Sequence, residues 1–250
     1  MRVNLQPAYI LHSRPYRDSS MLLEVLTAEQ GRISLVARGA RRKTRGGSGS
    51  ALLQPFVPLL LSFSGRTELK NLNATEAAGR PLPLLGERLF SGLYLNELLV
   101  RLLHRHDPHP QIFAAYGSTL GALASGEEVD DSLRRFEFAL LGELGYGFEL
   151  DIDGSSGEAV QALDWYHYHP DYGLVARGPG VDVARPAFSG ADLLALAAND
   201  FGGSARLTAK RLLRLVLAHQ LGDAPLRSRE LFRVPSRSGR DQDCNIQELP

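Results

Sequence analysis

Arg38, Arg41, Arg42, Lys43 and Arg45 put five positive charges on the glycine-rich run that follows the apolar segment Arg32–Ala37. Cations so spaced on a permissive backbone suit phosphate oxygens: they neutralise charge and release condensed counterions without reading bases. Arg14 and Arg17 lie between the first two strand-like runs, and Arg66 lies at a later turn. Barrel connections bring such residues together on one groove. Tyr16, beside Pro15 in a connection, offers a stacking ring, whereas packing in a core is the stronger reading for Tyr9 and Phe56. A second basic group, Lys210, Arg211 and Arg214, follows three- and four-residue helical spacing together with Arg206, and Arg227 and Arg229 continue it. Two other uses stay open for these charges: solvated loops that maintain solubility, and attraction to an acidic protein or anionic surface.

Catalytic chemistry is poorly represented. His167 and His169 alternate on one strand face and could meet Asp164 or Asp171 at a metal, but ligand-capable residues beside turns are common and no His-Glu-x-x-His pattern is present. Gly142, Gly145 and Gly147 do not follow a strand in the dinucleotide pattern, and Gly46–Ser50 lacks the lysine and hydroxyl of a phosphate loop. No nucleophile elbow supports a Ser-His-Asp triad. The expectation is a binding protein with no catalytic residue, cofactor or metal.

The elements that must position these residues fall into two regions. Ala8–His12, Met21–Thr27, Arg32–Ala37, Phe56–Phe63 and Glu68–Leu72 read as five short strands, with Gly31 at a tight connection. With no long helical pattern between the first four, they suit a small barrel, whose closure removes exposed edges. From about residue 81 the period becomes helical. Leu85, Leu89, Leu93, Leu99 and Leu103 share a face, with Glu87, Arg88, Asn96 and Arg101 on the others, and Asp107-Pro108-His109-Pro110 stops the helix. Helices are also expected over Ile112–Leu123, over Leu133–Leu141 with Asp130 or Asp131 as cap and an end near Gly145 or Gly147, and over Ala205–Leu221. Residues 148–187 break the pattern and predict a hairpin or irregular insertion. The predicted division is 1–80, 81–236 and a flexible tail at 237–250.

Net charge is zero, which conceals a separation: residues 1–80 carry +7, residues 81–205 carry −11 and residues 206–250 carry +4. At 250 residues and 44% hydrophobic, the chain is long enough for one large core or two smaller ones, and the opposite charges of its parts favour two. No apolar run approaches the roughly 20 residues needed to span a bilayer, and the first residues lack a secretory pattern. Cys244 is the only cysteine, so neither an intrachain disulfide nor a cysteine-rich zinc site can form. A cytosolic, membrane-free setting is the simplest fit.

Several blocks resemble the bacterial recombination mediator family RecO. They are Tyr9–Ser20, Gly31–Arg41, Leu53-Gln54-Pro55-Phe56, Leu93–Leu99, Leu133-Arg134-Arg135-Phe136-Glu137, Leu144-Gly145-Tyr146-Gly147 and Leu221–Leu231, in order across residues 8–232. The resemblance implies a multidomain α+β protein, with an N-terminal OB-fold β-barrel followed by a mainly helical domain carrying a small irregular or β insertion. It implies non-enzymatic binding of single- and double-stranded DNA, annealing of complementary strands, and recombinase loading with RecR on strands coated by single-stranded DNA-binding protein, at the nucleoid. Some members carry four cysteines and zinc in the insertion; this sequence has none there, which implies a zinc-free form. The family's helical domain receives the acidic, apolar C-terminal tail of single-stranded DNA-binding protein. By the Leu-Arg-Arg-Phe-Glu block, Arg134 carries that role and Arg135 is its neighbour candidate. An intradomain ion pair of Arg134 with Glu137 or Asp130 is the competing use. A structural adaptor that recognises acidic proteins through the basic barrel is the alternative function.

Overall fold

A computed structural model of the chain describes residues 2–44, 47–48, 52–178 and 185–232. Five strands close a barrel: β1 (Arg2–Tyr16), β2 (Ser20–Thr27), β3 (Gly31–Ala37), β6 (Leu59–Ser64) and β7 (Leu69–Ala77), in the order β1-β2-β3-β7-β6. Two two-residue strands, β4 (Lys43–Thr44) and β5 (Gly47–Ser48), pair with each other in the β3–β6 connection. All barrel pairs are antiparallel except β3 with β7. Strand β1 closes the cylinder because it is long enough to serve two neighbours, pairing β6 through Arg2–Ala8 and β2 through Ala8–Tyr16. Register shifts near Ile10 and between Val3 and Gln6 bend it, as bulges do where a sheet must curve. Strict alternation in β6 sends Leu59, Leu61 and Phe63 into the barrel core, where they meet Ile10, Leu23, Val25, Ile33 and Leu35.

The second region contains α1 (Glu87–Leu102), α2 (Pro110–Ser125), α3 (Val129–Glu143), α4 (Gly190–Ala197), α5 (Gly203–Leu221) and the short α6 (Ser228–Leu231). Between α3 and α4 lies a small sheet of β8 (Trp165–His169), β9 (Gly173–Ala176) and β10 (Phe188–Ser189), ordered β10-β8-β9. The architecture is therefore an OB-like barrel, then helices with a β insertion. Helix α3 ends as its glycine predicts: Gly145 takes φ 79°, its N–H donates to Gly142 O, and Tyr146 N–H donates to Leu141 O at 2.8 Å.

Four sequence expectations change. Phe56 stands in a turn at φ 66° and β6 begins only at Leu59, because Pro55 and Pro58 interrupt the run. Arg14 lies inside β1 opposite Leu22 and not in a connection. Neither Asp130 nor Asp131 caps α3; Glu128 is the N-cap residue and the two aspartates pair with α5 instead. Asn96 is buried and Leu85 exposed, the reverse of the predicted helix faces. Asn96 Nδ2 donates to Leu11 O at 2.9 Å, and Tyr116 Oη donates to Asn96 Oδ1 at 2.5 Å. The expected tail 237–250 lies outside the described residues.

The helical core reaches onto the outside of the barrel, whose own core is separate. Leu11 and Leu26 point out of the barrel into the cluster formed by Leu95, Leu98, Leu99 and Tyr116, and Phe56 joins it. At the other end of this seam Glu24 accepts Arg32 Nη1 and Arg105 Nη2, each at 2.9 Å, while Arg32 Nε reaches Leu103 O at 3.1 Å. Gly31 sits at φ 63° where a Cβ would lie 2.0 Å from Asp107 O, so the β2–β3 turn docks on the chain after α1 only because this residue has no side chain.

Candidate nucleic-acid interface

The β1–β2 turn and the exit from β3 meet at one end of the barrel. Arg41 N–H donates to Ser19 O at 3.1 Å, which fastens the basic connection to the other turn, and Arg42 N–H closes the connection's own turn on Gly39 O at 3.0 Å. An open groove of about 730 Å³ results, lined by Arg17, Arg38 and Arg42 with Tyr16, Thr67 and Asn71 among its other walls. The Arg17 guanidinium carbon lies 5.2 Å from the Tyr16 ring centre, so cation and ring present one continuous surface. Arg14, Arg17, Arg38, Arg41, Arg42 and Arg66 are exposed. Among the described residues none of the six forms an ion pair with a carboxylate.

The structure brings Arg17, Arg38 and Arg42 together. Arg14, Arg41 and Arg66 do not line the groove, although Arg66 adjoins its wall residue Thr67 on the β6–β7 turn. Lys43 lies in β4, its backbone opposite Ser48, and Arg45 is outside the described residues. Thr67 and Asn71 were not foreseen. The polar positions of the fifth strand were visible in sequence, but only the parallel pairing of β3 with β7 brings them beside Arg38.

The basic residues of α5 are used differently. Lys210 Nζ lies 3.2 Å from Asp130, and Arg206 Nε lies 2.9 Å from Asp131 Oδ1. Arg211 lies over the Phe188 ring at 5.8 Å and does not share a wall with Arg214. Lys210, Arg214, Arg134 and Arg229 instead rim a second cavity of about 310 Å³, with Tyr94, Leu133 and Phe232 among its apolar walls. Arg229 thus joins Arg134, while Arg227 is exposed and its backbone N–H donates to Glu97 at 2.9 Å.

Arg134 is 7% exposed and its Nη1 lies 2.7 Å from Glu137 Oε2, so the ion pair with Glu137 is present. Glu137 Oε1 also accepts Tyr94 Oη at 2.6 Å. Burial raises the Glu137 pKa, against the lowering effect of the Arg134 charge and the Tyr94 hydrogen bond. Burial and then the Glu137 charge push Tyr94 well above the usual tyrosine range. Among the described residues the buried Arg134 Nε has no hydrogen-bond partner, leaving donor capacity in a cavity whose walls mix the apolar Leu133, Leu217 and Phe232 with the carboxylates of Glu87 and Asp130. Arg135 faces elsewhere: its Nε donates to Asn199 Oδ1 at 3.2 Å and its guanidinium lies 4.9 Å from the Phe201 ring centre. His167 and His169 share a strand face, and among the described residues no three His, Cys, Asp or Glu side chains are grouped to hold a metal. None of the described helices is long and apolar enough to cross a membrane.

The sequence matches the family description "Recombination protein O N terminal" over residues 1–80 and "Recombination protein O C terminal" over residues 85–230. It is 49% identical over 236 residues to the "DNA repair protein RecO" of Methylococcus capsulatus, covering 94% of this chain and 95% of that protein. It is 47% identical to the protein of the same description from Pseudomonas paraeruginosa, covering 94% and 97%. With that from Nitrosospira multiformis the identity is 43%, covering 93% and 96%. A barrel with a basic groove, a helical region with its own cavity, and full-length similarity to these proteins lead to one conclusion: the chain belongs to the RecO family of bacterial DNA-repair and recombination mediators.

Proposed function

We propose that the chain binds single- and double-stranded DNA through the barrel groove, anneals complementary strands, and assists recombinase loading together with RecR. The observation that carries this reading is the cluster of Arg17, Arg38 and Arg42 around Tyr16, none of them ion-paired with a carboxylate among the described residues. Annealing needs no covalent step. Neutralised phosphates repel each other less, and reversible contacts let two strands test registers before pairing. Residues 1–80 supply this surface. Residues 81–236 recruit partners, with the acidic, apolar tail of single-stranded DNA-binding protein entering the cavity rimmed by Arg134, Lys210, Arg214 and Arg229. The chain works in the cytoplasm at the nucleoid, without a cofactor.

Arg227, and Arg211 above Phe188, extend the cationic surface for DNA beyond the groove, as do Arg14, Arg41 and Arg66, and Lys43 and Arg45 join them as proposed DNA contacts by their place in the basic run of the sequence. Arg135 is a weaker tail contact than Arg134, because it is engaged by Asn199 and Phe201.

The test replaces Arg17, Arg38 and Arg42 with alanine and measures strand binding and annealing across a salt series. Removing three phosphate contacts is expected to flatten the slope of log K against log salt by about 2 for single strands. Annealing of free strands should slow in parallel. An unchanged slope with unchanged annealing would remove the groove from the DNA path and favour the adaptor alternative, in which the barrel meets an acidic protein.

A further inference from the structure

The β insertion presents an aromatic and cationic face that the groove and the helical cavity do not use. In β8, alternation sends Tyr166 inward, 2% exposed, and leaves Trp165 54% exposed on the opposite face. Ladder pairing of Tyr166 with Ala176 and of His167 with Val175 sets Arg177 across from Trp165, and Arg177 N–H donates to Trp165 O at 2.8 Å. Directly opposed residues of an antiparallel pair share a face, so guanidinium and indole emerge side by side. A shallow cleft of about 540 Å³ opens there, with Leu163, Trp165, Arg177 and Asp164 in its walls.

Neither Arg177 nor Arg185 has a carboxylate partner among the described residues. Arg177 supplies the positive charge of this face, because it lines the cleft together with Trp165. An exposed flat ring beside a cation with no carboxylate partner among the described residues is what an unpaired base with its phosphate requires. Indole stacks on any base, and the guanidinium takes the phosphate oxygens. A protein partner would more naturally meet a contiguous apolar patch, whereas here one ring and Leu163 stand among charges.

We propose that the Trp165–Arg177 face of the insertion is a second single-strand platform, which stacks one unpaired nucleobase and holds an adjoining phosphate. This inference rests on the DNA-binding reading above. It adds a contact that would let one molecule hold two strands, or two parts of one.

Trp165 is the only tryptophan of the chain, so its emission reports on this face. The full-length protein is titrated with a labelled oligothymidylate while label anisotropy and indole emission are followed together. The expected result is quenching along the anisotropy isotherm. Trp165→Ala should weaken binding by roughly tenfold, at the lower end of what one stacked base supplies, and Trp165→Phe less, since a smaller ring remains. Arg177→Ala, which keeps the reporter, should move the quenching midpoint to higher strand concentration by about fivefold. Quenching at saturating strand should survive in the Arg17, Arg38, Arg42 triple-alanine variant. If anisotropy rises while indole emission stays constant, the platform is overturned and the groove reading stands. If neither signal changes, both fail. Quenching by a purified protein partner but not by oligothymidylate assigns the face to protein recognition and overturns the proposal.

Discussion

Arg134 shows how one side chain can hold two obligations. It neutralises Glu137, which is fully buried, and it contributes an Nε with no partner among the described residues beside the helical cavity. If that cavity receives a carboxylate-bearing tail, Arg134→Ala is expected to weaken tail-peptide binding by about 1–3 kcal/mol. The same change strips Glu137 of its partner and should cost about 3–5 kcal/mol of stability unless the carboxyl takes a proton. Arg229→Ala separates the two effects, because Arg229 rims the cavity without forming the Glu137 ion pair. Calorimetry with the tail peptide, beside a denaturation curve for each variant, distinguishes recognition from folding. Intact peptide binding in a folded Arg134→Ala protein would remove the anchor role.

Asp153 makes a second residue-scale case, in the insertion. Burial alone would raise its pKa. Hydrogen bonds from the Ser155 hydroxyl and from the N–H groups of Ala176, Ser155 and Ser156 outweigh that and hold it below the usual aspartate value. A carboxylate depressed in the folded state stabilises the fold above its unfolded pKa of about 3.9 and loses that contribution as pH falls through the lower folded value. Asp153→Ala should therefore cost about 1–3 kcal/mol at neutral pH, by leaving buried donors unpaired, and should flatten the acid limb of stability. Urea midpoints for parent and variant, at neutral pH and in the acid range, measure both. A difference that stays constant into acid would contradict the linkage.

At the scale of elements, α1 matters most because it touches both regions. Residue type alone puts its polar Asn96 on a solvent face, yet it joins β1 to α2 through Leu11 O and Tyr116 Oη. A sequence pattern counts apolar positions; it cannot see that a bulged strand leaves a carbonyl for the neighbouring helix to satisfy. Asn96→Leu, close in size but unable to hydrogen bond, should lose about 2–5 kcal/mol by orphaning both partners. Tyr116→Phe should lose less, since only the amide oxygen goes unmet. Chemical denaturation of the two variants tests the ranking, and equal losses would contradict it. Helix α5 makes the complementary point. Its cations were visible as a basic stripe, but Lys210 and Arg206 face the aspartates of α3.

For the whole molecule, the charge separation between regions coexists with a packed apolar seam between two cores. Leu11, Leu26 and Phe56 come from the first 80 residues yet pack among helices, and Gly31 lets the barrel touch Asp107. Such continuity predicts one cooperative thermal transition for the full chain. Gly31→Ala, forced into φ 63° and against a backbone oxygen, should lower stability by about 2–4 kcal/mol and leave a single transition. Scanning calorimetry settles this: two resolved transitions in the parent would show that the regions melt independently.

What the sequence determined by itself is tied to local pattern. Alternating runs made five strands, apolar spacing made the long helices, Gly145 ended α3, and basic residues flanked the early strands in an order that resembled a known family. These features survive because each is decided by neighbours a few residues away. Which cations meet was decided only in three dimensions. Arg17, Arg38 and Arg42 converge because a closed barrel brings two turns together, with Arg41 bonded to Ser19. Arg229 joins Arg134 because α6 folds back on α1. Trp165 stands exposed beside Arg177 because of the register of one hairpin. Coulomb forces between side chains depend on separation in space, and only the packing of elements distant in sequence sets that separation.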